Sequence, residues 1–322
     1  MKQTKDVRYA VGVDFGGTSV KIALVNERGE IKARKKIITS TLGSKEAWID
    51  AVAAAVVEFK GKVQAGEKLS GVGVGVPGFV DYERGFIYDL PNVPGWKAVH
   101  LGQALGERLG CRVRIDNDVN AMAIGECTFG AGRTYQHAVF VTLGTGVGGA
   151  ILINNQLYRG AFSMAGEIGH MTIDMNGPKS AQGKGGLEMY VGNKRLAERA
   201  VRELEKGRKS KLDELCKGDR SAITPELIGI AARAGDALGQ EIFDFMGDCL
   251  AAAFASVTYL IQPQAFIVGG GISENGPTLF DPLRKHLNER LSPFFAERVE
   301  IKIAELGNDA GVIGCATLAF LE

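Results

Sequence analysis

Asp14-Phe15-Gly16-Gly17-Thr18-Ser19-Val20-Lys21-Ile22-Ala23-Leu24-Val25-Asn26 has a counterpart 128 positions later, Thr142-Leu143-Gly144-Thr145-Gly146-Val147-Gly148-Gly149-Ala150-Ile151-Leu152-Ile153-Asn154. Each copy follows an apolar run, at 9–13 and 138–141, and passes straight into another. Both read as strand–turn–strand. Glycine in such a turn lets the backbone approach a ligand and present N–H groups to an anion. Two of these loops in one chain suggest a duplicated fold that holds one polyphosphate from two sides. That points to a nucleotide.

The chain has 322 residues, long for one compact core and suited to two lobes. A formal net charge of +1 offers no electrostatic footing for nucleic acid or for a membrane surface, and neither partner is expected. The polar start, Met1-Lys2-Gln3-Thr4-Lys5-Asp6, does not read as a secretory leader. The longest apolar stretch, 250–261, contains Ser256 and Thr258 and falls short of the ~20 residues of a membrane span. Cys111, Cys127, Cys216, Cys249 and Cys315 are dispersed, with no C-x-x-C pair, and read as reduced core thiols of a cytoplasmic protein.

The coarse pattern is α/β. Residues 45–65 carry helical periodicity in Trp48, Val52, Ala55, Val56 and Phe59. A buried strand, Gly71-Val72-Gly73-Val74-Gly75-Val76, stops at Pro77-Gly78. A helix over 99–109 leads to strand Arg112-Val113-Arg114-Ile115, and another helix begins near Asp118. The second half repeats the order: paired strands, a long helical region, strand Ala265-Phe266-Ile267-Val268, then three glycines. The charged stretch 203–220 reads as a solvated helix–loop surface, and 307–321 as a closely packed helix of small residues.

Two common nucleotide motifs are rejected. No G-x-x-x-x-G-K-[ST] occurs, so this is not a P-loop chain. Gly144-x-Gly146-x-x-Gly149 satisfies the dinucleotide fingerprint formally, with Glu167 downstream. The fingerprint needs a helix after its last glycine, whereas Ala150-Ile151-Leu152-Ile153 is a strand pattern.

Asp14-x-Gly16-Gly17-Thr18, Asn117-Asp118-x-Asn120, the glycine run from Leu143 to Gly149, Glu167-x-Gly169-His170 and Gly269-Gly270-Gly271 occur in that order. Together they resemble the repressor–open reading frame–kinase (ROK) sugar kinases, bacterial glucokinases above all, over residues 12–314. The resemblance implies the duplicated actin-like (ribonuclease H-like) α/β fold, with ATP in a cleft between lobes and a hexose beside it. The expected lobes are 1–122 with 309–322, and 123–308, hinged at the catalytic helix. It further implies a homodimer or higher homo-oligomer.

On this resemblance Asp118 is the base. It stands at a strand-to-helix junction, where a helix N-terminus favours the ionised form, and would accept the proton of a sugar hydroxyl. A plain N-cap is the structural alternative for Asp118. Asp116, two residues earlier, is read as structural. Asp14 ends a buried strand, a costly place for a carboxylate, and Mg²⁺ carried by ATP would compensate it. Gly16, Gly17 and Thr18 would face the transferred phosphate, and Thr142, Gly144, Thr145 and Gly146 the others. Lys21 reaches either phosphate or solvent, and Gly269, Gly270 and Gly271 would contact the adenosine. The family places Gly78, Asn92, Asn117, Asp118, Glu167, His170 and Glu188 around the sugar.

One stretch departs from the family. Most members bind Zn²⁺ there through three cysteines and the histidine that follows the glutamate. Here it reads Gly177-Pro178-Lys179-Ser180-Ala181-Gln182-Gly183-Lys184-Gly185-Gly186-Leu187-Glu188, without cysteine and one residue short. Ser, Gln and one His cannot build a tetrahedral zinc site, so no structural zinc is expected. The reading is an ATP-dependent hexose kinase acting on the 6-hydroxyl, with glucose preferred. N-acetylmannosamine, N-acetylglucosamine, fructose, mannose and allose stay open as substrates. So do polyphosphate as donor, a sugar-responsive repressor and a catalytically silent sugar sensor.

Overall fold

The structure, a computed structural model, describes residues 7–90, 93 and 95–321. Asn92, expected at the sugar, lies outside the described residues. The chain divides into two compact units: Met1–Thr134 with Leu157–Ala165 and Glu305–Glu322, and Tyr135–Gln156 with Gly166–Ala304.

The first unit begins with β1 (Val7–Phe15), β2 (Ser19–Asn26), β3 (Ile31–Ile38), α1 (Lys45–Lys60) and β4 (Glu67–Val76). Short strands β5 (Phe79–Asp81), β6 (Phe86–Asp89) and β7 (Lys97–Val99) follow, then α2 (Leu101–Leu109), β8 (Val113–Asn117) and α3 (Asp118–Phe129). Its main sheet has the order β3-β2-β1-β4-β8. β1, β2 and β3 meander antiparallel, while β4 and β8 join parallel to β1.

The second unit carries β9 (Ala138–Leu143), β10 (Val147–Ile153), β11 (Gln156–Tyr158), β12 (Lys179–Ser180), β13 (Gly183–Lys184), α4 (Glu188–Val191), α5 (Asn193–Glu205) and α6 (Leu212–Leu215). It continues through α7 (Pro225–Arg233), α8 (Ala237–Ile261), β14 (Ala265–Gly269), α9 (Pro277–Arg290), α10 (Pro293–Ala296) and β15 (Glu300–Ile303). Helix α11 (Ala310–Leu318) returns to the first unit. The second sheet runs β11-β10-β9-β14-β15, the same order as the first when strands are counted from each hairpin. The duplication visible in the glycine turns is thus a duplication of whole sheets.

The main sheet of the first unit is covered by different means on its two faces. On one, Trp48 of α1 meets Phe15 and Trp96 with ring centroids 4.7 Å and 5.1 Å away. Ser44 Oγ caps α1 by accepting from Ala47 N at 3.1 Å, and the helix stops at Lys60, short of the expected 65, because Gly61 closes it on Val57 O. On the other face α11, buried along its whole length, lies backbone-to-backbone on the sheet. Any Cβ on Gly12 or Gly73 would overlap the carbonyl oxygen of Val312 or Cys315, and one on Gly314 would overlap that of Ala121 in α3. Because α3 packs along α11 as a unit, the boundary expected at 122 falls inside a helix, and the first unit runs on to Thr134.

In the second unit the apolar stretch seen at 250–261 is only the C-terminal half of α8, which has 25 residues. Among the described residues it is the one helix long and apolar enough to cross a membrane. It forms the unit's core, with Phe254 stacked on Phe266 of β14 at 4.1 Å and Gly247 against Pro282 and Leu283 of α9. The charged stretch 203–220 is not wholly solvated, since Leu212 and Cys216 turn into that core. Burial lifts the Cys127 and Cys249 thiols to about 12, which keeps them protonated.

Gly314→Ala, which forces a methyl into the α3 backbone, is expected to cost about 1–3 kcal/mol. Gly17→Ala, with nothing within 4 Å of the new methyl, should leave the melting temperature unchanged. Parallel thermal melts of the two variants check this.

Candidate functional site

In the first unit the expected residues collect where the parallel strands β1, β4 and β8 end. Asp14 stands opposite Lys21 across the β1–β2 hairpin and opposite Gly75 of β4. Its carboxylate lies on the first turn of α11, where a Cβ on Gly311 would come within 2.8 Å of Oδ2. Burial raises the Asp14 pKa, and the Lys21 ammonium, 3.8 Å away, offsets this only in part. Lys21 also donates to Asn308 O at 3.2 Å, so it faces the start of α11. The turn after β1 is closed by Gly16 N donating to Ser19 O at 3.1 Å and is held from behind by Thr39, whose N–H reaches Thr18 O at 3.0 Å. Gly17 at its tip has open space.

At the end of β8, Asn117 rather than Asp118 is the N-cap of α3. Asn117 Oδ1 accepts from Val119 N at 2.8 Å and Asn120 N at 3.2 Å, while Nδ2 donates to Gly78 O at 3.2 Å. Asp118 therefore occupies the first helical position, with Oδ1 accepting from Val119 N at 3.0 Å. Gly75 makes the junction possible, because a Cβ there would crowd Asp118 Cα at 3.2 Å and Cys315 Sγ at 2.8 Å. Burial pushes the Cys315 thiol far up, and the charges of Asp14, Asp118 and Asp116 act in the same direction. It is an inert proton-bearing thiol beneath three carboxylates.

In the second unit two glycine turns lie side by side. Thr142 pairs with Gly148 of β10 and with Gly269 of β14. Gly144 N donates to Gly146 O at 3.0 Å across the hairpin tip, with Thr145 between them. Gly270 has φ +85°, and any Cβ on it would collide with the Leu143 backbone, so only glycine fits. Gly269 packs on Ala304, and Gly271 faces open space.

The turn bearing Glu167 and His170 rests on the same hairpin. Gly166 and Gly149 approach so closely that neither tolerates a side chain, and Gly169 sits on Val147 O. His170 Nε2 lies 3.7 Å from Glu167 Oε2. Burial raises the Glu167 pKa; His170 lowers it and the nearby Glu188 charge raises it further. Glu188, the first residue of α4, accepts from Val147 N through Oε2 at 2.9 Å. Gly146 leaves room for that oxygen. Glu188 thereby ties the loop before it to the glycine hairpin, a bond the sequence reading missed.

That loop, where the family cysteines are missing, is closed by hydrogen bonds. β12 and β13 pair antiparallel. Asp174 accepts from Tyr190 Oη at 2.8 Å and Asn176 N at 2.8 Å, and Thr172 Oγ1 donates to Lys184 O at 2.9 Å. Among the described residues no group of three or more His, Cys, Asp or Glu could hold a metal ion.

The family model described as "ROK family" matches residues 10–321. The chain belongs to the ROK family. The glucokinase of Thermotoga maritima is 36% identical over 310 residues, covering 96% of each chain. That of Streptomyces coelicolor is 35% identical over 313 residues, again 96% of each. The crystal structure of a ROK family glucokinase from Streptomyces griseus, in complex with glucose and AMPPNP, superposes with a TM-score of 0.82 at 34% identity, covering 97% of this chain and 99% of that one. The fold is accordingly the duplicated actin-like α/β fold of ROK proteins.

Two pH effects follow from the carboxylates. A folded-state pKa raised above the unfolded value means that Asp14 costs stability once ionised. Asp14→Asn should therefore melt higher than the wild type near pH 7, the gap closing as pH falls through the raised pKa. Glu167 takes up its proton at a higher pH than an ordinary carboxylate, so any ligand held by its ionised form should weaken earlier on acidification than model glutamate titration predicts. Calorimetric melts and ligand titrations across pH 4–8 check both.

Proposed function

We propose that this ROK protein is an ATP-dependent glucokinase, transferring the γ-phosphoryl group of ATP to the 6-hydroxyl of glucose. Asp118 carries the proposal: a carboxylate on the first turn of a helix whose cap is supplied by its neighbour, Asn117. The glucokinase names of the relatives and the glucose and AMPPNP bound in the Streptomyces griseus enzyme support the substrate pair.

In this reading the 6-hydroxyl gives its proton to the Asp118 carboxylate as its oxygen bonds to the γ-phosphorus. The bond from that phosphorus to the β–γ bridging oxygen breaks, and ADP leaves. Gly78, Asn117, Glu167, His170 and Glu188 orient the sugar through short, fixed hydrogen-bonding groups. Gly16, Gly17 and Thr18 face the transferred phosphate, Thr142, Gly144, Thr145 and Gly146 the other phosphates, and Gly269, Gly270 and Gly271 the adenosine. Asp14 suits a divalent cation, because burial leaves its charge under-compensated by Lys21. Mg²⁺ bound there with ATP would neutralise phosphate charge.

The protonated core thiols suit a reducing compartment, and the proposed setting is cytoplasmic glycolysis, with the enzyme a homodimer. No structural zinc is proposed: hydrogen bonds from Tyr190 and Thr172 close the loop that lacks cysteine. One zinc per chain by elemental analysis would overturn that point.

ADP release measured over a sugar panel tests the function. Glucose should turn over fastest, and Asp118→Asn should lose roughly 10²–10⁴-fold in kcat while still binding glucose. Turnover of an acetylated hexosamine alone would change the substrate, and silence on every sugar would defeat the proposal.

A further inference from the structure

Asp116 is 2% exposed, yet four donors converge on it. Oδ1 accepts from Asn117 N and from Asn120 Nδ2, each at 2.8 Å. Oδ2 accepts from Arg159 Nε at 3.0 Å and Nη2 at 2.6 Å. The Arg159 guanidinium is also stacked on the Tyr82 ring, 3.7 Å from its centroid. Such a forked, stacked contact fixes orientation as well as charge. Both groups bonded to Oδ1 flank Asp118: Asn117 caps its helix, and Asn120 lies half a turn beyond. Arg159 comes from Leu157–Ala165, a segment grouped with the first unit although both chain neighbours belong to the second. That segment runs directly into Gly166 and Glu167.

We infer that Arg159 is a positioning residue for phosphoryl transfer, acting through Asp116 to fix the Asn117–Asp118 junction. The inference rests on the reading of Asp118 as base. A buried carboxylate bonded to residues on both sides of the base, Asn117 and Asn120, cannot shift without tilting the first turn of α3. Arg159 supplies the only cation paired with Asp116 among the described residues. It is also anchored to the segment that leads to Glu167. The charged and titratable groups packed about this junction are Asp14 on β1, Tyr82 after β5, Arg114 and Asp116 on β8, Arg159, and Cys315 on α11. Removing the Arg159 charge leaves Asp116 as an uncompensated negative neighbour of Asp118, which disfavours the ionised base.

The test is steady-state kinetics of Arg159→Met and Arg159→Lys beside the wild type and Asp118→Asn, with glucose and Mg²⁺–ATP across pH 5–9. Arg159→Met should lose about 10- to 100-fold in kcat, as expected for a misplaced reacting group, with the KM for ATP within about twofold. The acid limb of its kcat/KM profile should move to higher pH. Arg159→Lys, which keeps the charge but not the fork, should hold the wild-type acid limb and recover part of kcat. Wild-type kcat and an unmoved acid limb in folded Arg159→Met overturn the inference, whatever the melting temperature. If Arg159→Met does not fold, wild-type kcat in Arg159→Lys overturns it. Asp118→Asn separates the two failures: if it turns over normally, or the wild type turns over no sugar, the base reading falls and takes this inference with it.

Discussion

The close approach of backbones governs this molecule. Gly12 and Gly73 let α11 lie directly on β1 and β4, and Gly314 lets α3 lie on α11. An interior packed at crystal density leaves no slack for a methyl at such points. The consequence reaches the site: with α11 and α3 pressed on the strand ends, Asp14, Asp116 and Asp118 surround one buried thiol, Cys315. The second unit uses the same means. Gly149 against Gly166, and Gly270 against Leu143, bring the turn of Glu167 and the second glycine turn onto the β9–β10 hairpin.

Once carboxylates are crowded into such places, their hydrogen-bond partners divide them into two kinds. Asp116 has four donors. Fully buried Glu126 accepts from the backbone N–H groups of Ala131, Glu305 and Leu306 and so stitches the end of α3 to the chain re-entering the first unit. Asp236, despite burial, is held below the usual carboxylate range by donors that include Gly239 N and Lys211 N. These three are furnished for structure. Asp14 and Glu167 are not: burial raises both, and the nearest basic groups, Lys21 and His170, stand at 3.8 Å and 3.7 Å.

Local signals carried much of this into the sequence. The two glycine hairpins, the periodic apolar face of α1 and the small residues of α11 are all written in consecutive residues. Asp118 was legible as a helix-start carboxylate, but the choice of Asn117 as cap depends on backbone angles that residue types do not specify. Arg159 was invisible because its partner is 43 residues away, and nothing in Tyr-Arg-Gly marks an arginine as stacked and forked. The bond from Val147 N to Glu188, 41 residues apart, was hidden for the same reason. The apolar stretch 250–261 is shorter than its helix, because the two aspartates at 244 and 248 interrupt the apolar run of α8 but lie on its outer side, so the helix continues through them.

The loop without cysteines is tied down from both ends by backbone packing and hydrogen bonds. Gly185 has φ +66° and abuts Asp174 O, which fixes the crossing of the loop's two ends without a side chain. Asp174 then grips Tyr190, two residues after Glu188, and Glu188 grips Val147. The chain of contacts therefore runs from that loop to the Gly144–Gly146 turn through neutral or singly charged hydrogen bonds. Burial and the Asp174 bond lift the Tyr190 hydroxyl to about 12, so the donor keeps its proton at any physiological pH. Asp174 itself is held below the ordinary carboxylate range by Asn176 N and Tyr190, so the acceptor keeps its charge. A clasp built this way stays shut across the neutral range, with the turn that holds Glu167 and His170 resting on the same hairpin.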